Sequence, residues 1–261
     1  MRKVKGFLIF LIVLTVIVGA FAVVLRVGRG KSDAAREVKP NFATITNMGG
    51  VYIFAAKVGS KVILFDAGAD PLARPIDALL SGMQAGRQDV SDIFITHGHL
   101  DHIAGAPSFP SARIHLGAGD VDLAAGKYLP DALMGKLITK LAPIPPLGRV
   151  TDPLKEKTTI TVAEGKTVKA FPVPGHTPGS FAFLYDEVLI PGDIMVFKQG
   201  HLVPTPALFD AHPEENKAAI RSLKTQLEGE TFEYVCTAHG GCTPKGLGRI
   251  LLDDLIKRVG G

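Results

Sequence analysis

The chain has 261 residues, of which 46% are hydrophobic and 21% are charged, and its formal net charge is +4 at pH 7. This length is enough for one large or two small domains with a buried core. Of the 29 basic and 25 acidic side chains, seven basic ones and one acidic one lie in residues 1–36, so the rest of the chain has a net charge of −2. We therefore expect no nucleic-acid partner, because such a partner requires a basic stripe or a recognised module.

The first predicted element is a transmembrane helix at residues 6–25, where twenty consecutive residues carry no charge. A helix of that length rises about 30 Å, which is the thickness of the hydrocarbon core of a bilayer. A cleaved signal peptide is the alternative, because basic residues precede the run and Ala20-Phe21-Ala22 has a small-x-small pattern. We favour an uncleaved single-pass anchor followed by an extracytoplasmic domain, while basic residues on both flanks leave the orientation open. Residues 1–40 are thus interpreted as membrane anchor and linker.

Beyond residue 40, strands and helices follow one another in two blocks. Strand patterns occur at residues 51–57, 61–65, 92–96 and 113–116, and again at 158–162, 167–173, 180–185, 188–190 and 233–237. Apolar residues at helical spacing predict helices at 75–84, 133–141, 214–227 and 248–259, and a further helix from about Asp101. Two blocks of strands with attached helices predict an α/β protein in which two sheets pack face to face between outer helices.

The segment His97-Gly98-His99-Leu100-Asp101-His102 follows the strand predicted at 92–96. Its three imidazoles and one carboxylate are the ligand types that zinc, iron and manganese accept. Four ionisable groups crowded on one loop would repel or desolvate one another without a cation. The segment therefore predicts a metal site at the end of a strand, which is a usual place for an α/β active site.

Three further segments each place one metal-competent side chain just after a predicted strand and beside glycines: PGHTPGS at 174–180, PGD at 191–193 and AHGG at 238–241. The side chains concerned are His176, Asp193 and His239. If the sheets bring those strand ends to one edge, seven ligands converge. Cys236 and Cys242 flank the last of these histidines and could form a disulfide or remain free thiols.

These four motifs, in this order, resemble those of the metallo-β-lactamase-fold hydrolase superfamily over roughly residues 42–245. The resemblance implies an αββα four-layer sandwich for residues 41–261, with two metal ions at one edge of the sheets. It also implies that one ion would bind His97, His99 and His176, the second Asp101, His102 and His239, and both of them Asp193. Asp66 resembles the buried acid that supports the ligand loop of the family, and an ordinary turn residue is an equally good interpretation.

The residue type at the bridging position, 193, distinguishes between branches of the superfamily. An aspartate at position 193 is similar to that of glyoxalase II and the N-acyl-homoserine lactonases, whereas one main branch of lactam-hydrolysing enzymes has a cysteine there. The tyrosine that follows this acid in the lactonases is absent, because the next residues are Ile194, Met195, Val196 and Phe197. The resemblance therefore leaves the substrate open.

The predicted function is that of a membrane-tethered binuclear metal-dependent hydrolase acting on a small-molecule substrate. Two divalent metal ions, Zn²⁺ in preference to Fe or Mn, would hold a hydroxide that attacks an ester, thioester, lactone or amide carbonyl. Asp101 would be both a ligand and the general acid–base. The alternatives are a mononuclear iron oxidoreductase acting on sulfur compounds, a nucleic-acid phosphodiesterase, and a binding protein on a degenerate fold. The oligomeric state is open.

Substrate choice is expected to depend on side chains outside the ligand set. Candidate pocket walls are residues 142–155 and 200–212, with apolar contacts from Phe197, Leu208 and Phe209. Ordinary packing is the competing interpretation for each of them. Residues 118–155 are the least readable part of the chain, because closely spaced prolines exclude regular structure after the helix at 133–141.

Overall fold

The computed structural model of the chain describes residues 34–46, 50–141 and 145–260. The transmembrane helix predicted at residues 6–25 lies outside these ranges. Within them, no helix is long and apolar enough to cross a bilayer. The longest described helix, Pro213–Gln226, has 14 residues and rises about 21 Å, against the 30 Å or so that a bilayer core requires. The membrane location derived from the sequence is therefore corrected: the structure does not support an anchor, and we do not retain it.

The described residues form fifteen strands and six α-helices. The strands β1 to β15 are Arg36–Lys39, Phe42–Thr46, Tyr52–Val58, Lys61–Phe65, Val90–Ile95, Arg113–Gly117, Asp152–Leu154, Thr158–Ala163, Lys166–Pro172, Phe181–Tyr185, Val188–Ile190, Met195–Lys198, His201–Pro204, Tyr234–Thr237 and Gly241–Cys242. The helices α1 to α6 are Arg74–Gly82, Leu100–Ile103, Val121–Ala124, Leu133–Leu141, Pro213–Gln226 and Gly248–Gly260. Short 3-10 turns lie at Arg87–Asp89, Ala106–Ser108, Ala118–Asp120 and Gly192–Ile194.

Two mixed sheets contain thirteen of these strands. The first has the order β1-β2-β3-β4-β5-β6-β7, in which β1 to β4 pair antiparallel and β4 to β7 pair parallel. The second has the order β15-β14-β11-β10-β9-β8, in which β11 and β14 pair parallel and the other neighbours antiparallel. Strands β12 and β13 form a separate hairpin. Parallel neighbours need a crossover connection, and α1 and α2 lie in the crossovers on either side of β5.

Three apolar layers hold the helices and sheets together. The layer between the sheets is rich in buried aromatic side chains, among them Phe42, Phe54, Phe65, Phe94, Phe181 and Phe183. Helix α1 covers the outer face of the first sheet through Ile76, Leu79 and Leu80. Helices α5 and α6 cover the outer face of the second sheet through Ile220, Leu223, Leu252 and Leu255. The order of layers is thus helix, sheet, sheet, helix, which confirms the predicted αββα sandwich.

Strand β4 shows how the sequence divides these layers. Its side chains alternate between the two faces of the sheet, as in any extended strand. Val62 and Leu64 pack toward α1, whereas Ile63 and Phe65 pack toward the second sheet. Because both faces are buried, the strand reads as a continuous apolar run instead of an apolar–polar alternation.

Backbone hydrogen bonds join the two sheets at one edge. The amide of Phe181 donates to the carbonyl of Thr96, and the amide of Tyr52 donates to the carbonyl of Ala238, each at 2.8 Å. Thr96 immediately precedes the first histidine of the HGHLDH segment, and Ala238 immediately precedes His239. The edge at which the sheets meet is therefore the edge that carries the predicted ligands.

The predicted strands and helices after residue 50 are confirmed, with ends that differ by one or two residues at most, and the helix expected from Asp101 is the short α2. Other parts were not predicted. Arg36–Lys39, which lies inside the predicted anchor and linker, is the edge strand β1 and pairs with β2. A four-residue strand of mixed polarity is too short to show a period in the sequence. Its conformation depends on pairing with the neighbouring strand.

Packing between the sheets gives a first prediction. Phe94 is fully buried, with its ring centroid 5.5 Å from that of Phe65, 5.4 Å from that of Phe183 and 4.4 Å from that of His115. We expect Phe94→Ala to lower the free energy of unfolding by about 3–5 kcal/mol, because it leaves a cavity in a close-packed layer. Phe209→Ala is the matched control at a side chain that is 39% exposed. Chemical denaturation that shows equally small effects for both variants would contradict this packing.

Candidate metal centre

The structure brings all seven predicted ligands together at the joined edge. His97 and His99 follow β5, Asp101 and His102 lie in α2, and the strands β9, β11 and β14 are followed by His176, Asp193 and His239. Strands β9, β11 and β14 run in the same direction, so their C-terminal ends lie at one edge of the second sheet. Three groups of three side chains have ligand atoms within 4.8 Å of one another. Two are described below, and the remaining one, which consists of His97, His102 and Asp193, shares members with both sides of the cluster.

The first group consists of His97, His99 and His176. Nδ1 of His99 lies 2.9 Å from Nε2 of His97 and 3.1 Å from Nε2 of His176. Four donors at about 2.1 Å from a tetrahedral zinc ion are about 3.4 Å apart, so these nitrogens are close to the required spacing. The group is the set predicted for one metal ion.

The second group consists of Asp101, His102 and His239, and Asp193 lies between it and the first. Oδ2 of Asp101 is 3.8 Å from Nε2 of His102 and 3.6 Å from Nε2 of His239. Oδ2 of Asp193 is 3.5 Å and 3.0 Å from the same two nitrogens and 3.8 Å from Nε2 of His176. One carboxylate oxygen thus faces both groups.

The hydrogen bonds of the imidazoles show which ring atoms face the cluster with a lone pair. Nδ1 of His176 is 2.9 Å from a carboxylate oxygen of Asp210, and Nδ1 of His102 is 2.9 Å from one of Asp66. A carboxylate only accepts, so each Nδ1 carries a proton, and it is Nε2 that would offer a lone pair to a metal ion. Nε2 of His102 and Oδ1 of Asp193 are buried without a hydrogen-bond partner. Buried polar atoms of this kind need a partner, and a set of imidazole and carboxylate donors around them fits divalent metal ions.

The electrostatics of the cluster keep two histidines neutral and favour positive charge beside Asp193. Burial and the neighbouring imidazoles lower the pKa of His97 well below its usual range and that of His99 to about 3, so both rings are neutral at pH 7. Burial opposes ionisation of Asp193, but the charges of His239 and His102 outweigh it and hold the pKa of this carboxyl well below its usual range. Asp193 in turn raises the pKa of His239 to about 10. Burial opposes a charge on His102, but the charges of Asp66 and Asp193 outweigh it and hold the pKa of that ring well above its usual range. Positive charge at these two rings is therefore stabilised, and either a proton or a metal ion can supply it.

Asp66 holds the HGHLDH segment from outside the ligand set. It has a left-handed backbone, with a φ of 61°, and is fully buried. Its carboxylate accepts the amide proton of Thr96 at 2.8 Å and the Nδ1 proton of His102. Of the two interpretations left open by the sequence, the structure supports the buried acid that orients the ligand loop. Such second partners fix the tautomer and the ring orientation of a metal-binding histidine.

Two ligands follow glycines that the backbone requires. Gly175, before His176, has a φ of +134°, and a Cβ there would lie 2.2 Å from the backbone nitrogen of Asn216. Gly192, before Asp193, has a φ of +61°, and a Cβ there would lie 2.6 Å from Cβ of Thr96. Only glycine combines this conformation with so close an approach, so these glycines place the next side chain at the cluster.

Asp120 is a buried residue of the site that sequence reasoning missed. One of its carboxylate oxygens accepts the Gly98 amide at 2.7 Å and the Thr177 hydroxyl at 2.6 Å, and the other accepts the Gly179 amide at 2.7 Å. It therefore joins the loop that carries His97 and His99 to the loop that carries His176. Burial raises the pKa of Asp120, although these three donors act in the opposite direction. A carboxylate beside glycines after the strand at 113–116 was the available signal, and it is the signal that identified Asp193.

Asp210 was missed for a different reason. Besides orienting His176, it accepts a hydrogen bond at 3.0 Å from the side-chain amide of Asn216, the residue in α5 that Gly175 approaches. It lies in a segment without regular structure, so no periodicity indicates that its side chain is buried. Only the packing of α5 against the ligand loop shows its role.

Cys236 and Cys242 form a disulfide, which resolves the alternative that the sequence left open. The two residues are register partners in the antiparallel pair β14–β15. The loop that they close contains His239, whose side chain is 33% exposed. The disulfide therefore constrains the most open histidine of the cluster.

Comparisons with known proteins agree with this geometry. A hydroxyacylglutathione hydrolase of Fuscovulum blasticum is 27% identical over 207 residues, which cover 77% of this chain and 63% of that protein. The chain thus spans less than two thirds of the length of that relative. Metallo-beta-lactamase domain-containing protein 1 of Homo sapiens is 30% identical over 115 residues, which cover 44% of this chain and 41% of that protein.

Solved structures show the same fold at low sequence identity. A subclass B3 metallo-beta-lactamase of Bradyrhizobium japonicum superposes with a TM-score of 0.59 at 21% identity, covering 79% of this chain and 77% of its own. A beta-lactamase from Chitinophaga pinensis superposes with a TM-score of 0.62 at 18% identity, covering 86% and 90%. The sequence profile described as the metallo-beta-lactamase superfamily matches residues 47–239, which is more than half of the chain. With its fold, its motifs and this match in agreement, the chain belongs to the metallo-beta-lactamase superfamily.

Proposed function

We propose that this protein is a binuclear metal-dependent hydrolase that cleaves an ester, thioester, lactone or amide bond of a small-molecule substrate. The observation that carries the proposal is the position of Asp193, whose Oδ2 lies 3.0 Å from Nε2 of His239 and 3.8 Å from Nε2 of His176. One buried carboxylate shared by two donor groups suits a pair of cations better than a single ion. Proteins of the superfamily are mostly metal-dependent hydrolases, which supports the reaction class.

The ligand set favours zinc without requiring it. We assign one ion to His97, His99 and His176, the second to Asp101, His102 and His239, and both to Asp193. Imidazole and carboxylate donors accept zinc, iron and manganese, and zinc is typical of the superfamily. Bound divalent cations lower the pKa of water and polarise a carbonyl oxygen, which is the chemistry that hydrolysis needs.

The exposure of the ligands divides the site into a closed and an open side. His97 and His102 are fully buried, whereas the side chains of Asp101 and His239 are 39% and 33% exposed. Water and substrate therefore enter beside Asp101. From this position its carboxylate would accept the proton of the attacking water and pass it to the leaving group, as a general acid–base.

Three buried carboxylates outside the ligand set hold this arrangement. Asp66 orients His102, and Asp210 orients His176. Asp120 joins the loop that carries His97 and His99 to the loop that carries His176. Ligands that are held before the ion binds lose little freedom when it binds, and they keep their positions during the reaction. These residues would position the ligands without contact with the substrate.

The similar proteins include a hydroxyacylglutathione hydrolase and beta-lactamases, which supports a hydrolase. At these identities and coverages they name no substrate for this chain. Elemental analysis of the purified protein, followed by assays on thioesters, lactones and β-lactams, tests the proposal. Two bound ions and hydrolysis of any of these substrates support it. A single iron ion together with oxygen uptake on a sulfur compound would instead support the oxidoreductase alternative.

The bridging role of Asp193 gives the second prediction. We expect Asp193→Ala to lose at least one of two bound ions and to lower kcat/KM by at least about 100-fold, because even changes to groups behind metal ligands lower activity by about 10- to 100-fold. Elemental analysis and steady-state kinetics measure both effects. Asp254→Ala is the matched control, because this carboxylate lies on the surface of α6 and is 51% exposed. Full activity with one bound ion would refute the bridging role.

The contacts of Asp120 give the third prediction. Asp120→Asn replaces one accepting oxygen by a donor that faces an amide or hydroxyl proton, so we expect metal affinity to fall by about 10- to 100-fold. Asp92→Asn is the control, because Asp92 is equally buried but pairs with His115 and Arg113. It should lower the free energy of unfolding and leave metal affinity unchanged. Competition with a chelator measures the affinity, and equal losses in both variants would contradict the role of Asp120 in the site.

A further inference from the structure

A second concave site adjoins the metal centre on the side of His99. It is a cavity of about 240 Å³. Its walls are residues 98–100 of the ligand loop, residues 123–126 and 128–130 of α3 and the turn after it, Thr139 of α4, and Pro146. None of the described lining residues carries a formal charge. Most are leucine, alanine, proline or glycine, so the larger part of the cavity surface is apolar.

His99 connects this cavity to the metal centre. Its Nδ1 faces His97 and His176 in the cluster, while its ring also lines the cavity. Helix α4 closes the same side, because a Cβ on Gly135 would lie 3.8 Å from Nε2 of His99 and 2.7 Å from Pro130. A group bound in the cavity would therefore lie against the ring of a candidate metal ligand.

The polar groups around the cavity do not form a polar binding site. The Tyr128 hydroxyl already donates to the carbonyl of Gly119 at 3.3 Å, and the Thr139 hydroxyl and the ring edge of His99 are the other polar side-chain groups in the described wall. A charged ligand would find no side chain of opposite charge in the described wall. An aliphatic group would instead gain from leaving water.

The volume sets the size of that group. An apolar cavity of about 150 Å³ accommodates benzene. Pockets that enclose a whole small molecule measure about 300–1,000 Å³. A cavity of about 240 Å³ therefore fits part of a substrate, of roughly eight carbon atoms.

The surroundings of the cavity expose several apolar side chains beside the charged Lys136 and Lys140. Helix α4 has no buried side chain, and its outer surface exposes Leu133, Leu137, Ile138 and Leu141. The carbonyl of Leu208, which is 58% exposed, accepts the amide proton of Met134 in the same helix. Of the walls predicted from the sequence, residues 142–155 contribute Pro146 and residues 200–212 contribute none of the described lining. Most of the described lining comes from residues 118–155, whose secondary structure was the least predictable from the sequence.

We propose that this cavity binds the aliphatic chain of the substrate, so that the protein acts on acyl compounds with an apolar chain of about eight carbon atoms. This inference rests on the proposed hydrolase activity, since the bond to be cleaved must lie at the metal cluster. Uncharged walls, the size of the cavity and the shared His99 carry it.

The fourth prediction concerns chain length. We expect kcat/KM on linear acyl thioesters of one thiol, from two to twelve carbons, to rise about fourfold for each methylene until the cavity is filled, and then to level off. Calorimetry with linear methyl ketones of the same lengths, which cannot be hydrolysed, should show the same dependence in affinity. If neither kcat/KM nor the affinity for the ketones depends on chain length, the proposed aliphatic site is refuted. Length-dependent ketone binding without hydrolysis of any thioester, lactone or β-lactam would retain the aliphatic site and refute the hydrolase.

Two variants with opposite effects locate the site. Ala125→Leu fills part of the cavity and should move the preferred length to shorter chains, with a larger loss of kcat/KM for long substrates than for short ones. Leu123→Ala enlarges it and should move the preference to longer chains. Ala218→Leu, at an exposed position of α5, is the matched control and should leave the profile unchanged. If one variant fails to fold, the other still decides. An unchanged length profile in a folded variant would place the aliphatic site elsewhere and overturn the proposal.

Discussion

A buried cluster of five imidazoles and two carboxylates imposes the main electrostatic constraint on this structure. Burial alone disfavours the charged forms of these groups, and their lone pairs face one another at distances of about 3–4 Å. Asp193 is the centre of this constraint, because its oxygen lies within reach of both histidine groups while its second oxygen has no hydrogen-bond partner. Cations resolve the conflict more completely than protons, since they can be shared among several donors.

The same constraint shapes the joint between the sheets. The ligands come from both sheets, and their backbones meet there through the hydrogen bonds of Phe181 to Thr96 and of Tyr52 to Ala238. Asp120 reinforces the joint, because it accepts protons from a loop of the first sheet and from a loop of the second. A displacement of either sheet would separate the ligand atoms, so the packing of the sandwich and the geometry of the site depend on each other.

The two sides of the cluster differ in chemistry. Asp101 and His239 face solvent, where a proton can be exchanged, whereas His99 lies against an uncharged cavity beneath α4. Our proposals place bond cleavage at the first side and an aliphatic chain at the second. This division is physically consistent, because the charged step keeps access to water while the apolar part of a substrate is removed from it.

The amino-acid sequence by itself determined the fold class and the seven side chains that the structure brings together as candidate ligands. The strands in both blocks are long enough to show their apolar character, and each ligand motif contains glycine and comes just after such a strand. Only the tertiary structure showed Asp120 and Asp210 as supports, the disulfide beside His239, the edge strand β1 and the cavity at His99. These features depend on contacts between segments far apart in the chain, for which a single sequence has no local signal. Each ligand motif is local, because it occupies one short segment after a strand, whereas burial, support and cavity shape arise when separate elements pack together.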